Sequence, residues 1–346
     1  MICEPYATSE GAANMHSSNT LWRHLQALAK VLLLYMGALL ALSLIATVAA
    51  FPWDLDPQAD ESASQAQANY YKTAYSPGAT SKGLPAAGGA DAAALSEKEA
   101  FYANFARKMA LKDKVPETVR AFVDRCGLEN KKILDVGAGN GLLQDIVADY
   151  TGLDISPTAR RYFHKPFVEA SATDMRFPSE SFDGLWSVWV LEHIPNPEKA
   201  LMEMRRVVKR DGYLLLYPAF DVSRYAAQGC FVRPYSDFDW KGKLVKLTAP
   251  AAILSYPLYY HQVRMLRSIG ARLGSGPTRL HFTKLTPNYD QYWVADSDAT
   301  TSVSFHELYL WFTTRGDACL NCPSERDLVF SDRLPPPYLI IEKRGQ

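Results

Sequence analysis

The sequence predicts an α/β fold: a doubly wound, mostly parallel, seven-stranded sheet that carries an inserted lid and is preceded by one transmembrane helix. Three observations predict it. From Ser96 onward, short apolar runs alternate with helical patterns, which implies parallel pairing with helices on both faces. The glycine-rich turn Asp135-Val136-Gly137-Ala138-Gly139-Asn140-Gly141 sits where a strand hands over to a helix, as ligand-binding turns of open sheets do. Far upstream, Val31 to Phe51 runs 21 residues without a charge.

That apolar run follows an N-terminal tail, 1–30. At about 1.5 Å per residue it is long enough to cross a hydrocarbon core of about 30 Å. Its length favours a retained single-pass anchor over a cleaved signal, whose apolar core is about 7–15 residues. Arg23 and Lys30 precede it, and Asp54, Asp56, Asp60 and Glu61 follow. Residues 52–95, rich in Ala, Ser, Gly, Gln and Pro, lack the apolar surface to offset chain entropy and read as a flexible linker.

The domain expected over 96–346 opens with Ser96 and Glu99, spaced as a capping box for a helix to about Lys112. Pro116 starts a second helix that ends near Gly127. Then come the strand KKILDVGA, a helix over Leu142–Tyr150, and the strands TGLDIS, FVEASA and FDGLWSVWV. A helix over Pro197–Lys209 and the strand GYLLLYPAF follow. After an insertion at 221–303, a helix at Ser304–Thr314 leads to two last strands, ACLNC and YLIIEKR.

Composition narrows the function. Hydrophobic residues are 48% of the chain and charged residues 21%, the mix of a protein that builds a core. Lys+Arg and Asp+Glu are both 37, so there is no basic excess to bind nucleic acid, and no nucleic-acid partner is expected. Cys319 and Cys322 form a C-x-x-C without a second pair, so no metal site is expected. They read as two ordinary thiols, the alternative being a surface disulfide in an oxidising compartment.

The glycine turn is spaced G-x-G-x-G. A dinucleotide fingerprint would place a third glycine where Leu142 stands, and a phosphate-binding P-loop would need a Gly-Lys-Ser/Thr that is missing. Glycines belong there because a side chain would block a ligand from the backbone. Asp154, at the end of the next strand, is placed to accept hydrogen bonds from ribose hydroxyls, which points to a nucleoside ligand without choosing one.

The run that begins at Phe177 makes the choice. Val190-Leu191-Glu192-His193 ends a strand, Arg206-Val207-Val208-Lys209 ends a helix, and Asp211-Gly212 turns into the next strand. This pattern closely resembles the class I S-adenosylmethionine (SAM)-dependent methyltransferases of the ubiquinone/menaquinone-methylase-like type, the methyltransferase type 11 group, densely over Lys131 to Tyr217. The resemblance implies a Rossmann-like sheet and SAM as cofactor. It places Asp135, Gly137, Gly139 and Gly141 around the methionyl part of SAM and Asp154 on the ribose. Where the family has Asp-Ala near the adenine, this chain has Ser171-Ala172, with Asp174 as the substitute acid.

For methyl transfer, His193 at the edge of the sheet is a candidate base; the alternative is that Glu192-His193 only packs and hydrogen-bonds in this turn. Asp296 and Asp298 are further catalytic candidates, paired with His306 from the next helix. Tyr292 and Trp293, with His306, are the expected substrate contacts, because the aromatic-rich insertion suits a lid over a sugar ring or a greasy acceptor. The leading expectation is O-methylation of a glycan or lipid-linked glycan at a membrane. Alternatives are a quinone or other lipid acceptor, and a catalytically silent SAM-binding module. Orientation stays open: the charge rule puts the enzyme outside, whereas SAM is made in the cytosol.

Overall fold

The computed structural model describes residues 22–38, 40–41, 65–66, 69, 107–222, 234–285, 287, 296, 298–330 and 336–345. Seven strands form the main sheet: β1 Ile133–Val136, β2 Tyr150–Asp154, β3 Phe167–Glu169, β4 Phe182–Val188, β5 Val208–Tyr217, β8 Ala318–Cys319 and β9 Leu339–Glu342. The order is β3-β2-β1-β4-β5-β9-β8. The first five are mutually parallel, while β9 runs antiparallel to β5 and β8 antiparallel to β9. Strand order reverses between β1 and β4, which opens a crevice at their carboxyl ends.

Alternate residues of each strand feed two cores, because successive side chains point to opposite faces. Leu134, Val136, Leu214, Leu216, Leu339 and Ile341 face α2 (Pro197–Val207) and α4 (Phe305–Thr313). Ile133, Leu215 and Ile340 face α1 (Val115–Cys126). Strands covered on both sides must be apolar throughout, as in Leu214-Leu215-Leu216. Local signals end the helices. Gly127, at φ 63°, closes α1, and the Asn196 side chain caps α2 by accepting from the Lys199 amide at 3.1 Å. Ser304 likewise caps α4 through the Glu307 amide.

Several expectations change. No helix lies over Leu142–Tyr150; these residues form turns and bends, and Tyr150 already belongs to β2. The amides of Gly141, Gln144 and Ile146 bond three residues back, and Lys165 Nζ donates to the Val147 and Ala148 carbonyls. Helix α2 stops at Val207 rather than Lys209, because the Arg206 and Val207 carbonyls accept from the Glu180 and Ser181 amides. Cys319 and Cys322 are not two thiols but a disulfide. Asn321 folds the turn between them by accepting from the Ile340 amide and donating to the Tyr338 carbonyl, which sets the two Cα atoms 5.6 Å apart.

The insertion holds α3, Trp240–Leu273, and a two-stranded pair of β6 (Thr283–Lys284) and β7 (Thr301–Ser302). Helix α3 is fastened to α4 by a two-pronged pair, Arg267 Nε to Glu307 Oε1 at 2.8 Å and Nη2 to Oε2 at 2.9 Å. It also meets α5, Glu325–Phe330, where His261 Nδ1 lies 2.6 Å from the Val329 carbonyl. Tyr235 and Trp240, two of the lid aromatics, are exposed.

The described residues do not bear out the expected transmembrane anchor. Residues 22–38 are helical and exposed throughout, yet no helix among the described residues is long and apolar enough to cross a membrane. The described part of this helix includes Arg23, His24, Gln26 and Lys30, whose polarity dilutes the apolar run. Residues 42–51 of the expected span, most of the 52–95 linker and residues 96–106 lie outside the described residues.

Candidate functional site

The glycine turn begins where β1 ends. Gly137, Gly139 and Gly141 all have positive φ, at 73°, 50° and 70°. The first and second glycines serve different ends. A Cβ on Gly137 would overlap Val190 Cγ2, so this residue lets the turn pack on the segment that leaves β4. A Cβ on Gly139 would meet nothing nearer than the Gly137 carbonyl at 3.9 Å, so the protein leaves its face open. That open face is where a ligand can lie against backbone, and it fits the nucleoside expected there.

Two carboxylates flank the turn. Asp135, 3% exposed, accepts from the Tyr150 hydroxyl at 2.8 Å. Burial pushes it up to about 7 from the usual carboxylate range, and the Tyr150 hydrogen bond offsets only part of that. Asp154 accepts from the Ser156 amide through Oδ1 at 2.8 Å and from the Gly139 amide through Oδ2 at 2.9 Å. Burial raises Asp154 too, against the pull of these backbone donors. Each oxygen keeps a second lone pair, so ribose hydroxyls can still donate to it. Past β3, the Ser171 hydroxyl lies 2.9 Å from the Thr173 hydroxyl and accepts from the Thr173 amide, while Ala172 packs against the core and Asp174 is exposed.

The carboxyl end of β4 carries the second half of the site. The turn Leu191–His193 is bound to the end of the insertion: the Glu192 carbonyl accepts from the Thr300 amide at 2.8 Å, and the Thr301 hydroxyl donates to the Leu191 carbonyl. This lacing brings Asp298 Oδ1 to 3.7 Å from His193 Nδ1. On the other side of the ring, Glu192 Oε1 lies 3.9 Å from His193 Nε2. Asp296, held at φ 63° in the turn before Asp298, faces the same ring. Burial disfavours a charged His193, but Asp298, Glu192 and Asp296 outweigh it and raise its affinity for a proton. Glu192, 1% exposed, is pushed by burial up to about 7.

Among the expected residues, the structure therefore brings His193, Asp296 and Asp298 together and separates His306 from them. His306 Nε2 is 2.9 Å from Ser268 Oγ on α3, and burial followed by Arg264 and Arg267 lowers it to about 3. The packing of α3 on α4 holds it there, so its expected pairing with Asp296 or Asp298 does not occur. Tyr292 and Trp293 lie outside the described residues. Sequence reasoning missed Tyr150 as the partner of Asp135, which no motif marks, and took Glu192 only as one half of a turn.

Residues 134–216 match the methyltransferase domain family. Over 112 residues the chain is 28% identical to a sterol 4-C-methyltransferase of Caenorhabditis elegans, covering 28% of this chain and 34% of that protein. It is 32% identical over 110 residues to a ubiquinone biosynthesis O-methyltransferase of Alkalilimnicola ehrlichii, covering 27% of this chain and 44% of that one. The YcgJ protein of Bacillus subtilis, among the solved structures, is 25% identical over 27% of this chain and 45% of its own, at a TM-score of 0.25. The chain thus spans about a third to a half of the length of these relatives. With the strand order, the G-x-G-x-G turn and Asp154 in place, residues 134–216 belong to the class I methyltransferases that use S-adenosylmethionine as cofactor.

Proposed function

We propose that the protein is an O-methyltransferase acting on a hydroxyl of a glycan or lipid-linked glycan. The observation that carries the reading is the approach of Asp298 to His193 beside the glycine turn, 3.7 Å between Oδ1 and Nδ1. SAM, when bound, supplies an electrophilic methyl group on a sulfonium. Gly139 gives it room, Asp135 offers its methionyl part an acidic partner, and Asp154 holds its ribose. A hydroxyl acceptor must be aligned and must lose a proton as its oxygen is methylated. The cluster of His193, Glu192, Asp296 and Asp298 lies next to Val190, the residue in contact with Gly137, and supplies groups that orient a hydroxyl and receive its proton. The aromatic residues of the insertion suit a sugar face.

A quinone or other lipid acceptor is the second reading, favoured by the ubiquinone-pathway O-methyltransferase among the relatives. Tritiated SAM with membrane extract, the product partitioned into lipid, glycan and protein fractions, separates the two. Asp298→Asn and His193→Asn are expected to cut turnover about a hundredfold or more, the usual worth of a positioned acid or base, with SAM affinity within twofold. Label transfer by both variants at the wild-type rate would overturn the role of the cluster. Tight SAM binding without any transfer would leave a silent binding module.

A further inference from the structure

Helix α3 presents its apolar side to solvent. A helix on the surface of a soluble domain ordinarily turns its apolar stripe inward and its polar side outward. In the second half of α3 the inner side is polar: His261 meets the Val329 carbonyl, Arg264 lies 4.0 Å from Asp221, Arg267 pairs with Glu307, and Ser268 Oγ is 2.9 Å from His306. The outer side carries Trp240, Leu247, Met265, Leu266, Ile269 and Leu273, all exposed, Trp240 at 71% and Leu273 at 83%. At about 100° per residue these residues fall within one arc of about 100°. Single exposed leucines are ordinary, whereas a row of them on one face marks an interaction surface.

The charge of the helix points to what covers that face. Its 34 residues hold no Asp or Glu, against Lys241, Lys243, Lys246 and three arginines, in a chain whose net charge is zero. The arginines are taken up by Asp221, Glu307 and Glu325. The lysines stand in the first two turns, Lys246 over the Tyr235 ring. Of the acids just before them, Asp237 and Asp239, the second caps the helix by accepting from the Gly242 amide at 2.7 Å. We propose that α3 lies on the surface of an anionic phospholipid bilayer, its apolar face in the headgroup boundary and its lysines among the lipid phosphates. Basic residues with an apolar helical face, and a tryptophan at the interface, are the combination that such a surface retains. A second copy of the chain fits the face less well, because two such helices would bring like charges together. Arg264 beside Asp221 and Arg267 on Glu307 set this half of α3 near the end of β5 and the start of α4, at the carboxyl end of the sheet. The inference goes beyond the methyltransferase reading and does not rest on it.

The test is tryptophan fluorescence of the full chain titrated with vesicles of phosphatidylglycerol and phosphatidylcholine in equal parts, the phosphatidylcholine brominated in its acyl chains. Bromine quenches a tryptophan that enters the lipid, and the quenching lost in Trp240→Phe is that of Trp240 alone. Wild type is expected to show it. Vesicles of brominated phosphatidylcholine alone, or salt at about 0.5 M, should raise the lipid needed for half-quenching about tenfold or more. Ile269→Gln combined with Leu273→Gln should raise it about tenfold or more as well, with the melting temperature unchanged because both side chains are exposed. Absence of quenching at Trp240, equal quenching by the neutral vesicles, or equal quenching in the double variant each overturns the inference. Self-association without lipid that the double variant abolishes, with Trp240 unquenched on vesicles, overturns it in favour of a second copy of the chain.

Discussion

Asp135→Asn probes the electrostatics of the glycine turn. Asp135 is 3% exposed, and its carboxyl is raised from 3.8 to about 7, principally by burial. At about 1.4 kcal/mol per pH unit, that difference is worth about 4 kcal/mol. Between pH 3.8 and about 7 the unfolded chain has released this proton and the folded chain still holds it. The contribution of Asp135 is therefore complete below its unfolded value and is lost as pH rises through its folded one. Asparagine keeps an oxygen for the Tyr150 hydroxyl but does not ionise. Urea unfolding of both proteins without SAM, at pH 4.5 and at pH 8, should show the variant gaining on wild type by about 3 kcal/mol at the higher pH. A stability difference that is the same at both pH values would refute the reasoning, since Asp135 would then be ionised in the fold as readily as in water.

The two glycines should fail differently. Gly137→Ala forces a methyl group into Val190 and should cost about 2–4 kcal/mol of stability in urea unfolding, overpacking and left-handed backbone together. Gly139→Val should cost less, about 1–2 kcal/mol for its backbone, yet abolish SAM binding by calorimetry. Asp154→Ala should weaken SAM binding by about 1.5–3 kcal/mol. Arg267→Met leaves the buried Glu307 without its partner and should cost about 3–5 kcal/mol, most of it recovered when Glu307→Gln is added.

Much of the sheet was legible because its strands are short, apolar and separated by turn residues. β1, β3, β4, β8 and β9 fall within the runs the sequence marks, β2 and β5 begin before theirs, at Tyr150 and Val208, and the glycine turn with Asp154 stands at the crevice the strand order creates. What was not legible depended on contacts distant in the chain. Leu142–Tyr150 has helical spacing, but its amides bond three residues back and Tyr150 pairs with Ile133 in the sheet. The long helix α3 was hidden by Pro250 and Pro257, which argue locally against continuous helix. The Cys319–Cys322 bridge depends on Asn321 reaching Tyr338 and Ile340. His193 and Asp298 are brought together by Thr300 and Thr301, residues with no motif of their own, whereas the tempting His306 is held by Ser268 on another helix.

The place of β9 has a consequence for synthesis on the ribosome. This strand lies between β5 and β8, yet about 120 residues separate the end of β5 from its start. At about 5–20 residues per second, the open flank of β5 waits about 6–24 s for its neighbour. Throughout that interval Leu214-Leu215-Leu216 presents unpaired amides and carbonyls on a strongly apolar strand, the kind of edge that recruits other nascent chains. A chaperone that occupies the β5 edge until residue 339 emerges would shield it through that interval.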